Sequence, residues 1–266
     1  MIKAAVLGSP IEHSLSPLLH KRAYEILQIE GEYFKIEVDD LAFPSFLNNA
    51  KESDWTGFSL TMPLKEASFL PELKVSVDPR AAKIHSVNTL IRIGNAYNGL
   101  STDVLAFDRL LAGITFRKVA IIGAGGTARA ALGALDGLVD SVDVMRRSAA
   151  RDLLLGKCMD STQLNLKSME SSLEGYDLVI STTPAGVSDA IASHVTSADG
   201  TLIEALYAPW PTNLSAKWGS LGGNVIHGLH ILVEQALDQI HLMSGKSFDY
   251  AQMRSILLEE AISTRN

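Results

Sequence analysis

Three short stretches carry side chains whose types and spacing could do chemistry. The run SLTMPLK, residues 59–65, begins like a buried strand, is stopped by Pro63 and ends on Lys65. A lysine in such a place is ordinarily a solvated surface residue, so Lys65 poses a question that the rest of the chain must answer. In GSPIEHSLSPLLH, residues 8–20, Ser14 and Ser16 stand just before a helix that starts at Pro17. Capping accounts for Ser16 as N-cap and Pro17 as first helical residue without any function. It does not account for Ser14. Two hydroxyls beside a helix N-terminus could also hold a carboxylate, and both readings stand at this point.

The third stretch is IIGAGGTARA, residues 121–130, where Gly123, Gly125 and Ala128 satisfy G-x-G-x-x-[G/A]. The pattern follows an apolar β-branched strand and opens an alanine-rich helix, the context a dinucleotide site requires. Gly123 permits the tight turn, Gly125 leaves room for a pyrophosphate, and Ala128 lets helix and strand pack closely. Ala124, Gly126 and Thr127 complete a turn whose amides face the phosphates. An NAD site would carry an acid at the end of the next strand, about twenty residues on. Here the chain reads VDVMRRS: Asp143 lies inside the strand, and Arg146, Arg147 and Ser148 stand at its end. Guanidiniums there suit a 2′-phosphate, so the expected cofactor is NADP.

The elements that must position these residues alternate along the chain. AAVLG, EYFKIEV and GFSLTM read as strands, SPLLHKRAYEILQ as an amphipathic helix, and TLIRIGNAYNG as a hairpin with Gly94–Asn95 at its turn. VLAFDRLLAG reads as a helix; SVDVMRR, YDLVISTTP, GTLIEALY and GNVIHG are further strands. This is the α/β alternation of a parallel, doubly wound sheet. The expected division is an α/β substrate domain at 1–102, a Rossmann-type dinucleotide-binding domain at 103–227, and C-terminal helices at 228–266, broken near SGKSFD and packing back on the first domain.

The 266 residues suffice for two cored domains. A net charge of −7 argues against a nucleic-acid surface, and no stretch is long and apolar enough for a membrane span. One cysteine, Cys158, and an N-terminus without a signal-peptide pattern suit a cytoplasmic protein. His227 and His230 lack further ligands at metal spacing, so no metal is expected. Trp210 and Trp218 read as packing residues.

Taken in order, several motifs resemble the shikimate dehydrogenase family: GSPIEHSLSPLLH, SLTMPLK, VNT at 87–89, STD at 101–103, GAGGTARA, STTPAG at 181–186, YAPWPT at 207–212 and GLHILVEQA at 228–236. They cover almost the whole chain, and TMPLK and YAPWPT look most like its actinobacterial branch. The resemblance implies reversible reduction of 3-dehydroshikimate to shikimate by NADPH, a step in making aromatic amino acids. Its catalytic pair matches Lys65 and Asp103, and the serines that hold the substrate carboxylate match Ser14 and Ser16. Thr61, Asn88 and Gln235 match contacts to ring hydroxyls or carboxylate, Tyr207 a tyrosine near the substrate, and Ala205 and Gly228 positions near the nicotinamide. Ser59 stands where the family often has Asn, Ser101 replaces the Asn of N-T-D, Ala106 a frequent Gly, and Ser181 the Asn of N-x-T. The register of N-R-T is open between Arg146 and Arg147.

In that reading Lys65 donates a proton or hydrogen bond to the ketone oxygen and stabilises its developing charge. Asp103 orients the lysine, with an N-cap of VLAFDRLLAG as its purely structural role. The expected partner is a small anionic carboxylate, bound by a monomer or homodimer. The alternatives are a quinate or dual quinate/shikimate dehydrogenase, which could use NAD, and a non-catalytic dinucleotide-binding sensor; the latter has no need of the Lys–Asp pair. A methyltransferase would want an acid where the arginines stand.

Overall fold

The computed structural model describes residues 1–264. Met1–Leu105 and the chain from Leu232 onward form one compact unit, and Ala106–Ile231 form a second.

The first unit contains β1 (Ile2–Gly8), α1 (Ser16–Ile26), β2 (Gly31–Glu37), α2 (Phe43–Ala50), β3 (Gly57–Leu60), β4 (Ser76–Val77), α3 (Pro79–Ile84), β5 (Thr89–Ile93) and β6 (Ala96–Leu100). Its sheet runs β2-β1-β3-β5-β6-β4. β1 pairs parallel with β2 and β3, whereas β5 runs antiparallel to β3 and β6. Alternation splits β1 between two cores. Ala5 and Leu7 join Phe43, Leu47 and Phe58 on one face, and Ala4 and Val6 join Tyr24, Tyr33 and Met243 on the other.

α4 (Thr102–Leu111) leads out of this unit. The second holds β7 (Val119–Ile122), α5 (Gly126–Leu135), β8 (Ser141–Arg146), α6 (Asp152–Gly156), β9 (Gln163–Ser168), β10 (Leu178–Ser181), α7 (Asp189–His194), β11 (Thr201–Glu204), α8 (Asn213–Ser220) and β12 (Asn224–Ile226). Its strand order, β12-β11-β10-β7-β8-β9, is parallel throughout. Numbered from β7, it is the doubly wound 3-2-1-4-5-6 order, whose switch point lies between β7 and β10. α9 (Gly228–Ser244) and α10 (Tyr250–Ser263) close the chain.

Two local expectations are corrected. Ser16 is not the N-cap of α1: the helix begins at Ser16, Leu15 is the N-cap and makes no side-chain cap bond. The Ser16 N–H instead meets Ser14 Oγ at 3.3 Å, so the earlier serine satisfies the orphan amide. Asp103 is not an N-cap either, because α4 already starts at Thr102. The Thr102 N–H is taken by Asn88 Oδ1 at 2.7 Å, which leaves the Asp103 carboxylate for other partners. β9 is a strand that the sequence does not announce. It sits at the sheet edge, mostly half-buried or exposed, and its polar residues mask the period.

Candidate functional site

Strand register gathers the chemistry of the first unit at one edge of its sheet. Leu7 near the end of β1 lies beside Leu60 at the end of β3. Thr89 at the start of antiparallel β5 pairs with Ser59, and also with Leu100 at the end of β6. The segments after β1, after β3, before β5 and after β6 therefore emerge together, and they carry Ser14 and Ser16, Thr61 and Lys65, Asn88, and Asp103.

Lys65 lies on the turn after β3. That turn is pinned by Thr61 N–H to Leu7 O (2.9 Å), Leu64 N–H to Thr61 O (2.8 Å) and Val87 N–H to Lys65 O (2.8 Å). Its Nζ donates to Asp103 Oδ2 at 2.5 Å, with the two side chains only 18% and 6% exposed. An ion pair so withdrawn from water keeps more of its Coulombic strength than a surface pair, provided its remaining oxygen is also bonded. That condition is met: Asn88 Nδ2 donates to Asp103 Oδ1 at 2.9 Å. Asn88 is itself buried, and its Nδ2 lies 3.4 Å from Gln235 Oε1 on α9. Gln235 Nε2 donates back to Leu232 O at 2.8 Å, which fixes the amide. Ser14 is half-buried and Ser16 buried. Lys65, Asp103, Asn88 and Gln235 thus form one connected polar cluster able to hold an ammonium in a fixed direction, which is what proton donation to a ketone oxygen asks for.

Ser59 and Ser101, which depart from the family pattern, sit differently. The Ser59 hydroxyl is buried, accepts from Tyr33 OH at 2.5 Å and donates to Gln239 Oε1 at 2.8 Å. It is part of the interior. Ser101 Oγ is also buried and has no hydrogen-bond partner among the described residues.

In the second unit the glycine turn joins β7 to α5. Gly123 has φ +116°, and a Cβ there would collide with Thr182 Oγ1, so only glycine fits. Above Gly125 the space is open: the nearest atom to an added Cβ is Arg151 Nη1, at 3.9 Å. The amides of Gly126, Thr127 and Ala128 are the first of α5 and precede its internal hydrogen-bond ladder. An open turn leading into such amides, with a guanidinium beside it, fits a dinucleotide pyrophosphate or phosphate. Arg129, fully buried, braces the turn by donating to Ala124 O at 3.2 Å.

The arginines are held differently. Arg146 is clamped on Asp152 through Nε (2.7 Å) and Nη2 (2.9 Å), whereas Arg147 and Ser148 are exposed. Sequence reasoning missed Arg151; its signal was a third arginine a few positions beyond the pair, and only the fold brings it back over Gly125. Tyr207 lies half-buried in the loop between β11 and α8. Glu204 fastens both ends of that loop, accepting from Leu206 N–H (3.2 Å) and Thr212 Oγ1 (3.0 Å). Burial pushes its carboxyl pKa up, against the pull of those donors. Ala205 and Gly228 meet closely, for a Cβ on Gly228 would lie 2.5 Å from Ala205 O.

Comparison with known proteins bears on the family and the fold. The family profile described as shikimate dehydrogenase substrate binding domain matches residues 6–90. A curated relative from Methanococcoides burtonii, named shikimate dehydrogenase (NADP(+)), is 32% identical, the match covering 96% of this chain and 97% of the relative. The crystal structure of Mycobacterium tuberculosis shikimate dehydrogenase superposes with a TM-score of 0.86 at 31% identity, over 97% of this chain and 99% of that one. Shikimate 5-dehydrogenase from Thermus thermophilus, in complex with NADP(H) and shikimate, gives 0.83 at 30% identity, over 98% and 100%. Identity sustained along both chains at full length, on a shared two-unit fold, leads to one conclusion: the chain belongs to the shikimate dehydrogenase family.

Proposed function

We propose that this protein catalyses the NADP-dependent, reversible reduction of 3-dehydroshikimate to shikimate. The observation that carries the reading is the Lys65–Asp103–Asn88 cluster, an oriented and largely buried ammonium in a chain whose full-length relatives are NADP-dependent shikimate dehydrogenases. NADPH, when bound, supplies the hydride. Lys65 donates the proton that the ketone oxygen needs as it gains charge, and takes it back in the oxidative direction. Asp103 holds the ammonium in place through Oδ2 while Asn88 holds Asp103 through Oδ1. The Ser14 and Ser16 hydroxyls bind the substrate carboxylate, and Thr61, Asn88, Gln235 and Tyr207 meet its hydroxyls or carboxylate. The glycine turn with Ala124 and Thr127, and Arg151 beside it, takes the pyrophosphate, Ala205 and Gly228 adjoin the nicotinamide, and Arg147 and Ser148 take the 2′-phosphate. Arg146, tied to Asp152, contributes to that phosphate mainly by holding its neighbours. The protein works in the cytoplasm as a monomer or homodimer.

Initial rates with shikimate and with quinate, each against NADP and NAD, test the assignment. Turnover should be fastest with shikimate and NADP. A folded Lys65→Ala protein that keeps near-parental turnover would refute the role of the lysine, and a preference for quinate would refute the substrate.

A further inference from the structure

Behind the Lys65–Asp103 pair, a line of buried side chains runs from Tyr33 to Asp103, and every hydrogen in it points the same way. Tyr33 OH donates to Ser59 Oγ (2.5 Å), and Ser59 Oγ donates to Gln239 Oε1 (2.8 Å). Gln239 Nε2 donates to Thr89 Oγ1 (3.0 Å), Thr89 Oγ1 to Asn88 Oδ1 (3.1 Å), and Asn88 Nδ2 to Asp103 Oδ1 (2.9 Å). All of these residues are buried.

Gln239 is the turning point of the line. An amide accepts at one end and donates at the other, so it passes the polarity on, which neither a carboxylate nor an apolar chain of similar size does. Its orientation is fixed from behind. His20 Nε2 lies 3.4 Å from the same Oε1, and burial pushes the His20 imidazole down to about 3, so the ring is neutral and offers one N–H. Gln239 Nε2 also reaches Thr102 Oγ1 at 3.4 Å, one residue before Asp103. Gln239 stands one turn after Gln235 on α9, so both amides face the same strand ends. Aligned hydrogen bonds polarise one another in a low-dielectric interior, so the chain delivers a stronger donor to Asp103 Oδ1 than Asn88 alone.

The geometry points to Gln239 as a positioning residue for the reaction, acting through Thr89 and Asn88 on Asp103 and hence on the direction of the Lys65 ammonium. The inference rests on the proposed catalytic role of Lys65 and Asp103. Ser59 gains a role as well, since its hydroxyl is the donor that sets which way Gln239 points.

The test compares four proteins in steady-state assays with shikimate and NADP, alongside thermal melts: Gln239→Met, Thr89→Val, the double variant, and Asp103→Asn. Gln239→Met keeps volume and removes the amide. Thr89→Val removes the next link, the acceptor of Gln239 Nε2, and leaves residue 239 a glutamine, so the idea remains testable if the first variant fails to fold. Folded Gln239→Met should show kcat about tenfold lower, with KM for shikimate within about twofold. Thr89→Val should fall in the same direction, and the double variant no further than the worse single, because both cut one line. A folded Gln239→Met protein with kcat within about twofold of the parent, or losses that multiply in the double variant, would overturn the inference. Asp103→Asn separates the two claims. If it retains near-parental turnover, the catalytic reading itself fails; if it is inactive while the other variants behave as the parent, only the role of Gln239 fails.

Discussion

His20 should make the fold acid-sensitive by an amount that can be calculated. The ring is fully buried, stacked on Tyr33 at 3.8 Å between centroids and edge-on to Tyr24, with Nδ1 3.4 Å from Tyr24 OH and Nε2 3.4 Å from Gln239 Oε1. Burial lowers its pKa from 6.5 to about 3, only partly countered by the bond to Gln239. The native state therefore stays unprotonated where the unfolded chain takes up a proton. Stability is full above the unfolded value, declines as the pH falls below it, and levels off only near the folded value. At about pH 5 the unfolded ring is almost wholly charged, and the penalty is about 2 kcal/mol relative to neutral pH, with a limiting slope of about 1.4 kcal/mol per pH unit. Carboxylates elsewhere also titrate, so the measurement must be a difference. His20→Gln retains an N–H donor toward Gln239 and does not titrate. Urea unfolding of parent and variant at several pH values between about 4.5 and 7.5 gives the difference in stability at each. The parent should lose about 2 kcal/mol relative to the variant on going from about pH 7.5 to about pH 5. A difference constant to within about 0.5 kcal/mol would refute the assignment of a buried, neutral His20.

Other outcomes follow from the same contacts. Asn88→Leu removes the donor to Asp103 Oδ1 and the acceptor of the Thr102 N–H, so kcat should drop about 10²-fold and stability by about 1–3 kcal/mol; rates and urea midpoints measure both. Arg147→Ala should raise KM for NADP about tenfold while leaving KM for NAD nearly unchanged, since a charge-assisted bond to the 2′-phosphate is lost, whereas Arg151→Ala, which strips the guanidinium from beside the glycine turn, should raise KM for both cofactors. Gly228→Ala would force a Cβ to 2.5 Å from Ala205 O and 2.9 Å from Glu204 O, both backbone atoms that yield poorly. A loss of about 1–3 kcal/mol is expected, read as a lower melting midpoint.

Much of the architecture was legible because it rests on local signals. The glycine turn between an apolar strand and an alanine-rich helix announces itself within ten residues, and the Gly94–Asn95 hairpin within eleven. What escaped depends on distance along the chain. Gln239 and Thr89 are 150 positions apart, and nothing in either neighbourhood says that they meet. Ser16 looked like a cap because its type and the following proline fit one, yet the helix already begins at Ser16, whose own N–H is accepted by Ser14 Oγ. Asp103 looked like a cap until Asn88, from the far side of the hairpin, supplied the acceptor. Arg146 and Arg147 read as equals, but an acid on the next helix claims one and leaves its neighbour in solvent.

The antiparallel hairpin has a consequence for handling the protein. β5 enters at Thr89 and β6 leaves at Leu100, paired side by side, so the turn at Gly94–Asn95 sits at the opposite rim of the sheet, about 16 Å away for a five-residue strand. Neighbouring Ile93 is already 63% exposed. That rim is a natural grafting point, where a label, an affinity handle or a fused domain can be carried without entering the rim that holds the chemistry.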